Sequence, residues 1–108
     1  MEPNFLGKVS APSADAPVQF TSDRAARACK IVITTIPGQT GNIFVGGAAL
    51  NTATFAGVLF KFNPPSTVGL TDYFSIEAMG STNSLVVSDY WLAATVAGEG
   101  ALVTYFQV

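Results

Sequence analysis

The stretch 31-IVITTIPGQTGNIFVGGAALNTATFAGVLF-60 decides the fold. It holds no ionisable acid or base between Lys30 and Lys61, yet it is not a membrane span. A transmembrane helix needs about 20 predominantly apolar residues in succession. Here the apolar runs stop at Pro37-Gly38-Gln39-Thr40-Gly41-Asn42, at Gly46-Gly47 and at Asn51-Thr52-Ala53-Thr54. Short apolar runs separated by turn residues are the pattern of strands in a sandwich or barrel. The missing charge implies that both faces of these strands are covered, by an opposing sheet or by another chain.

The rest of the chain extends this pattern. Residues 30–36 alternate, with Ile31, Ile33 and Thr35 on one face and Val32, Thr34 and Ile36 on the other; Pro37-Gly38 ends the run. Residues 43–45 make the next strand, and 48–53 either a short strand or a crossing loop. In 58–63, Val58, Phe60 and Phe62 oppose Leu59 and Lys61. Pro64-Pro65 stops that strand, because neither ring nitrogen can donate to a ladder. Residues 71–78 set Tyr73, Ser75 and Glu77 against Phe74, Ile76 and Ala78, and 80–83 read as a hairpin-like loop. Residues 85–87, 90–95 and 101–108 complete the set, with 18–21 as a first short strand. Residues 22–28 are expected to form a capped helical turn or a polar connection. The last strand, nearly uncharged to Val108, must be central in a sheet or pair with another chain, since an exposed edge of this kind aggregates.

The expected fold is therefore all-β: an antiparallel two-sheet sandwich of jelly-roll kind with about eight strands, a closed barrel being its nearest competitor. No segment offers the crossover helix that parallel strands require. Pro3, Pro12 and Pro17 separate residues 1–17 from the remainder. They are expected to form an extended N-terminal arm, followed by a single β-sandwich domain over 18–108. The arm would be anchored by Phe5, Leu6 and Val9.

Composition narrows the function. The chain has 108 residues, enough for one domain. Only 11% are charged, against roughly 25% in ordinary soluble domains, which points to surface occluded in an oligomer or larger particle. The net charge of −2 argues against a nucleic-acid binder, whose affinity comes from a basic surface. Arg24, Arg27 and Lys30 are the sole basic cluster, whereas Asp72, Glu77, Asp89 and Glu99 follow Lys61 with no base among them. This separation of signs can set the register of neighbouring subunits. Cys29 is the single cysteine and is expected to pack as a small hydrophobe. The first residues lack the basic and apolar regions of a signal peptide, so synthesis in a cytoplasm is expected.

Chemistry is sparse. There is no histidine, which removes the commonest general base and metal ligand. No phosphate-binding or dinucleotide motif is present, and Gly38, Gly41, Gly46 and Gly47 fall in turns. The carboxylate pairs Asp72/Glu77 and Asp89/Glu99 lack a cleft for glycoside hydrolysis. Asn83, Ser84, Ser88 and Asp89 offer calcium a single carboxylate. We therefore expect no enzyme, no cofactor, no metal, and neither nucleic acid nor membrane as partner. Tyr90-Trp91 beside Asp89 is either core or a platform on which a sugar ring stacks.

Four segments resemble small virion proteins of tailed bacteriophages: Thr40-Gly41-Asn42-Ile43-Phe44-Val45-Gly46, Asn51-Thr52-Ala53-Thr54, Phe60-Lys61-Phe62-Asn63-Pro64, and Asp72-Tyr73-Phe74-Ser75-Ile76-Glu77-Ala78. The likeness spans about residues 29–88 and departs at Pro64-Pro65-Ser66, where such proteins often carry Pro-Gly-Glu. It implies a capsid decoration (cement) protein or head-fibre base, trimeric, seated on the major capsid protein at the virion surface. The expected contacts are Phe5, Leu6, Val9, Arg24, Arg27, Tyr105 and Phe106. The alternative is a tail or fibre module that binds host glycans through Tyr90 and Trp91.

Overall fold

The computed structural model describes residues 2–63 and 72–108. The expected strand stop at Pro64-Pro65 and the start of the strand at Thr71 lie outside them. The described residues form ten strands: β1 (Glu2–Ser10), β2 (Val18–Gln19), β3 (Arg27–Ala28), β4 (Lys30–Thr35), β5 (Ile43–Gly46), β6 (Val58–Phe62), β7 (Tyr73–Glu77), β8 (Leu85–Val86), β9 (Trp91–Ala94) and β10 (Gly100–Gln107). All pairings are antiparallel. One sheet runs β1-β10-β4-β7, a second β2-β9-β5-β6, and β3-β8 is a two-stranded ribbon. Among the described residues there is no α-helix, and no helix is long and apolar enough to cross a membrane.

Period-two patterning builds the core. Ile31, Ile33, Ala101 and Val103 from the first sheet meet Ile43, Val45, Phe62, Leu92 and Ala94 from the second. The two inner faces thus bury each other, as apolar sheet faces must. At one side Phe60 of β6 stacks on Phe74 of β7, with centroids 4.6 Å apart, and meets Phe62 edge-on at 4.8 Å. This aromatic set joins the edge strands of the two sheets. Ala26, Ala28 and Val87, in and beside the β3-β8 ribbon, extend the same core.

Within the uncharged stretch, β5 is covered on both faces, and by its own chain. All four residues of β5 are buried. On the outer side of that sheet, Phe44 and Ala93 pack with Leu50, Val58 and Trp91. The loop after β5 that brings Leu50 there is held by Asn51, whose side-chain oxygen accepts from the amides of Ala53 (2.8 Å) and Thr54 (3.0 Å). Val58 joins this outer cluster rather than Phe60 and Phe62. The register shifts between Val45 and Gly46, leaving Leu59 as the extra residue. Such a bulge turns the preceding side chain to the other face.

The N-terminal residues correct the expected arm. Glu2–Ser10 is an edge strand, paired with β10 from Glu2↔Gln107 to Ser10↔Gly100. Gly7, at φ 73°, follows a bulge after Phe5, a backbone state that glycine adopts without penalty. The edge position accommodates Pro3, and the bulge turns Val9 into the core at 8% exposure. β10 is consequently central, between β1 and β4, which resolves the hazard of an uncharged terminal strand. Residues 22–28 form no helix: Asp23 accepts from the Ala25 amide at 2.9 Å in a turn that leads into β3. The loop at 80–83 is not a hairpin either, since β7 and β8 belong to different sheets.

Glu99 ties the turn before β10 to the turn before β5. Its carboxylate accepts from the Thr40 amide (2.9 Å), the Thr40 hydroxyl (3.2 Å) and the Gly41 amide (2.7 Å). Burial alone raises its pKa, but these donated bonds, with Lys8 nearby, outweigh it and hold the group below its ordinary 4.5. A lowered folded pKa contributes stability that is full above the unfolded value and lost as pH falls through the folded one. Glu99→Gln should therefore be less stable than the native chain at neutral pH. The difference should shrink between roughly pH 5 and 3, as read from urea midpoints across that range.

Candidate functional site

Most of the polar groups are committed to the fold. Lys30 Nζ lies 3.4 Å from Glu77, Asp72 accepts from the Tyr73 amide at 2.9 Å, and Glu99 is held as described. Thr35, buried between sheets, both donates to the Asp72 carbonyl (3.2 Å) and accepts from the Asp72 amide (2.8 Å). Cys29 is buried and unpaired, its thiol donating to the Phe106 carbonyl at 3.3 Å. Of the four late acids, Asp89 alone makes no such bond among the described residues, and it is exposed. Asp72 and Glu77 flank opposite ends of β7, and among the described residues no three acids, histidines or cysteines cluster as for a metal.

Asp89 sits at the rim of a cleft of about 510 Å³ lined by Gln19, Arg24, Arg27, Ala48, Val86, Ser88 and Trp91. Each element positions one part. β2 and β9 pair Gln19 with Trp91, and Gln19 Nε2 donates to the Ser88 carbonyl at 3.0 Å. That bond leaves the Gln19 side-chain oxygen as an acceptor. β3 carries Arg27, whose guanidinium donates to the Arg24 carbonyl and to the Ala26 carbonyl at 3.5 Å. The Arg24 guanidinium makes no hydrogen bond among the described residues and is exposed. Trp91 packs beside Phe44, Leu50 and Ala93, which fixes the indole while leaving it half-buried at the cleft.

The structure therefore joins Arg24 and Arg27 with Trp91, residues that the sequence assigned to two different readings. It separates Tyr90 from Trp91. Tyr90 packs against the core, 6.3 Å from the Phe20 ring, and its hydroxyl is raised above 10.0 by burial and by Asp89. Tyr90 precedes β9 in extended backbone, and neighbouring residues of extended backbone point to opposite sides, so Tyr90 packs with the main core while Trp91 packs with the outer cluster. Gln19 and Val86 were not singled out from sequence, and Ser88 was considered only as a calcium ligand beside Asp89. No local pattern marks them, because they meet only through strand pairing.

A second feature is the outer face of the β1-β10-β4-β7 sheet. Cross-strand registers place Phe5, Thr104, Val32 and Ser75 in one row, and Lys8, Leu102, Thr34 and Tyr73 in the next. Pro3, Phe106, Lys30 and Glu77 form a third. Phe5 is 76% exposed, Tyr73 67% and Leu102 44%, while Phe106 is half-buried. Of the other residues expected at an interface, Leu6 and Tyr105 pack against the core and Val9 is part of it.

Compared with known proteins, the chain matches no family model, and no curated protein or solved structure matches it.

Proposed function

We propose that this chain is a structural protein of a bacteriophage particle, a capsid decoration protein that docks as a homotrimer on the major capsid protein. The observation that carries the reading is the open outer face of the first sheet, where Phe5, Leu102 and Tyr73 stand exposed around Val32 and Phe106. Contiguous apolar patches on small proteins mark interaction sites. The second sheet has its outer side covered by the loop after β5, and the first has no such cover among the described residues. The strand orders support a jelly roll, a fold common in viral capsids. The first strand lies beside the last, the second beside β9, and of the steps within the two large sheets β5 to β6 stays in one sheet.

In this mechanism the outer face is buried between copies and against the shell, so that each copy adds a small apolar contribution repeated over the particle. The few charges, Lys8, Lys30 and Glu77, set register at the margin of the patch. The test is light scattering on the purified protein followed by co-sedimentation with capsids. The expected mass is about three times the 11.2 kDa chain. A Phe5→Ser/Leu102→Ser variant should fall to a monomer with an unchanged far-ultraviolet dichroism spectrum. A native chain that remains monomeric and does not sediment with capsids would refute the reading.

A further inference from the structure

We propose that the cleft between β2, the β3-β8 ribbon and β9 binds a carboxylate-bearing sugar, with Arg24 pairing to the carboxylate and Trp91 stacking on the pyranose ring.

Size, shape and residue types converge on this class of ligand. A cleft of about 510 Å³ lies within the roughly 300–1,000 Å³ of small-molecule sites. It combines one large aromatic surface with a few fixed polar groups, the usual composition of such a site. Among the described residues, the Arg24 guanidinium makes no hydrogen bond, so all its N–H groups are open to a ligand. Guanidinium presents paired N–H groups that match the two oxygens of a carboxylate. Arg27 is different in role. Its Nη1 donates to the carbonyls of Arg24 and Ala26, which holds the turn that carries Arg24, while its other N–H groups add charge and further donors at the cleft.

Trp91 supplies the other half. The negative face of an aromatic ring attracts positively polarised edges, and the axial C–H bonds of a pyranose offer such an edge. The indole is anchored by Phe44, Leu50 and Ala93, so ordering it costs little side-chain entropy on binding. The Gln19 side-chain oxygen and Asp89 are acceptors for ring hydroxyls.

Asp89 also sets the specificity. A carboxylate at the rim repels a second negative charge on the ligand, which disfavours phosphate and polyanions. One acid flanked by hydroxyls is the arrangement that satisfies Arg24, Asp89 and Gln19 together. The inference does not depend on capsid assembly, because no residue on the outer face of the first sheet takes part.

Trp91 is the single tryptophan, so intrinsic fluorescence reports on the cleft directly. The experiment titrates the full chain with galacturonic acid, with galactose as the neutral counterpart, and with inorganic phosphate and an oligoglutamate peptide as other anions. We expect a saturable change with galacturonic acid at millimolar concentration and at least about tenfold weaker binding of galactose. Arg24→Ala should remove that preference. Asp89→Asn should tighten the acid a few-fold, as loss of one exposed like charge does, and leave galactose unchanged. Both positions are exposed, and a dichroism spectrum checks each fold. The proposal is overturned if galacturonic acid gives no saturable change, or if galactose, phosphate or the peptide binds as well. It is also overturned if neither variant alters the acid titration. These readouts are scored whatever the mass of the native chain proves to be.

Discussion

Replacing Phe62 by alanine is expected to cost about 3–5 kcal/mol of folding stability, a large share of the roughly 5–15 kcal/mol that holds a domain together. Phe62 is 1% exposed and heads the largest fully buried side chains. It lies on an edge strand opposite Ile43, edge-on to Phe60, which in turn stacks on Phe74 of the other sheet. Truncation removes its own burial and opens a cavity in the aromatic set that joins β6 to β7. The cavity cannot collapse easily, because β5 behind it is paired on both sides. Urea unfolding should show a lower midpoint with an unchanged slope. Phe5→Ala is the comparison: a residue 76% exposed should shift the isolated chain by no more than about 0.5 kcal/mol. Equal losses at the two positions would mean that the core is not where the fold places it.

The second large effect is expected at Gly100. A Cβ built there meets the carbonyl oxygen of Val9, and lies 2.8 Å from the Val9 carbonyl carbon and 2.9 Å from Ser10 Cα. These are backbone atoms, so no side chain can swing aside, and β1 must move away from β10. Gly100→Ala should cost about 1–3 kcal/mol or more, the range for forced overpacking. Amide exchange gives the sharper readout. Protection should fall across residues 2–10 while β4 and β5 keep theirs, because strands open as local units. Gly47→Ala provides the control, since a Cβ at Gly47 meets nothing within 4 Å. Its stability should stay within about 0.5 kcal/mol of the native chain. Uniform loss of protection in Gly100→Ala would show that β1 is integral to the cooperative unit; no loss would show that it is a loose arm after all.

The faces of the strands were legible in the sequence because burial has a local cause there. Ile31, Ile33 and Thr35 alternate with half-buried neighbours as their spacing predicts, and Phe74 and Ile76 pack against the core while Tyr73 and Glu77 are exposed. The all-β class followed from such runs together with the scarcity of helix-forming stretches. Two local departures were not legible. The bulge at Leu59 moves Val58 to the outer cluster, and the bulge before Gly7 carries β1 along β10. In both cases the deciding contact is with a strand elsewhere in the chain, and alternation within one segment records nothing of its partner.

The candidate cleft divides the same way. Arg24, Arg27 and Trp91 stood out by residue type, but sequence placed the arginines in a basic patch at a protein interface and the tryptophan with Tyr90. The true neighbours of Trp91 are Gln19, its partner across β2 and β9, and Gly46 across β5 and β9. By itself the sequence determined the strand class, the faces of most strands and the poverty of catalytic groups, since these depend on residue chemistry and a period of two. Tertiary structure alone decided the central place of β10, the cover over β5 and the meeting of Arg24 with Trp91. Each of those rests on contacts between residues distant in the chain, whose pairing is fixed by the burial of the whole core and not by any one segment.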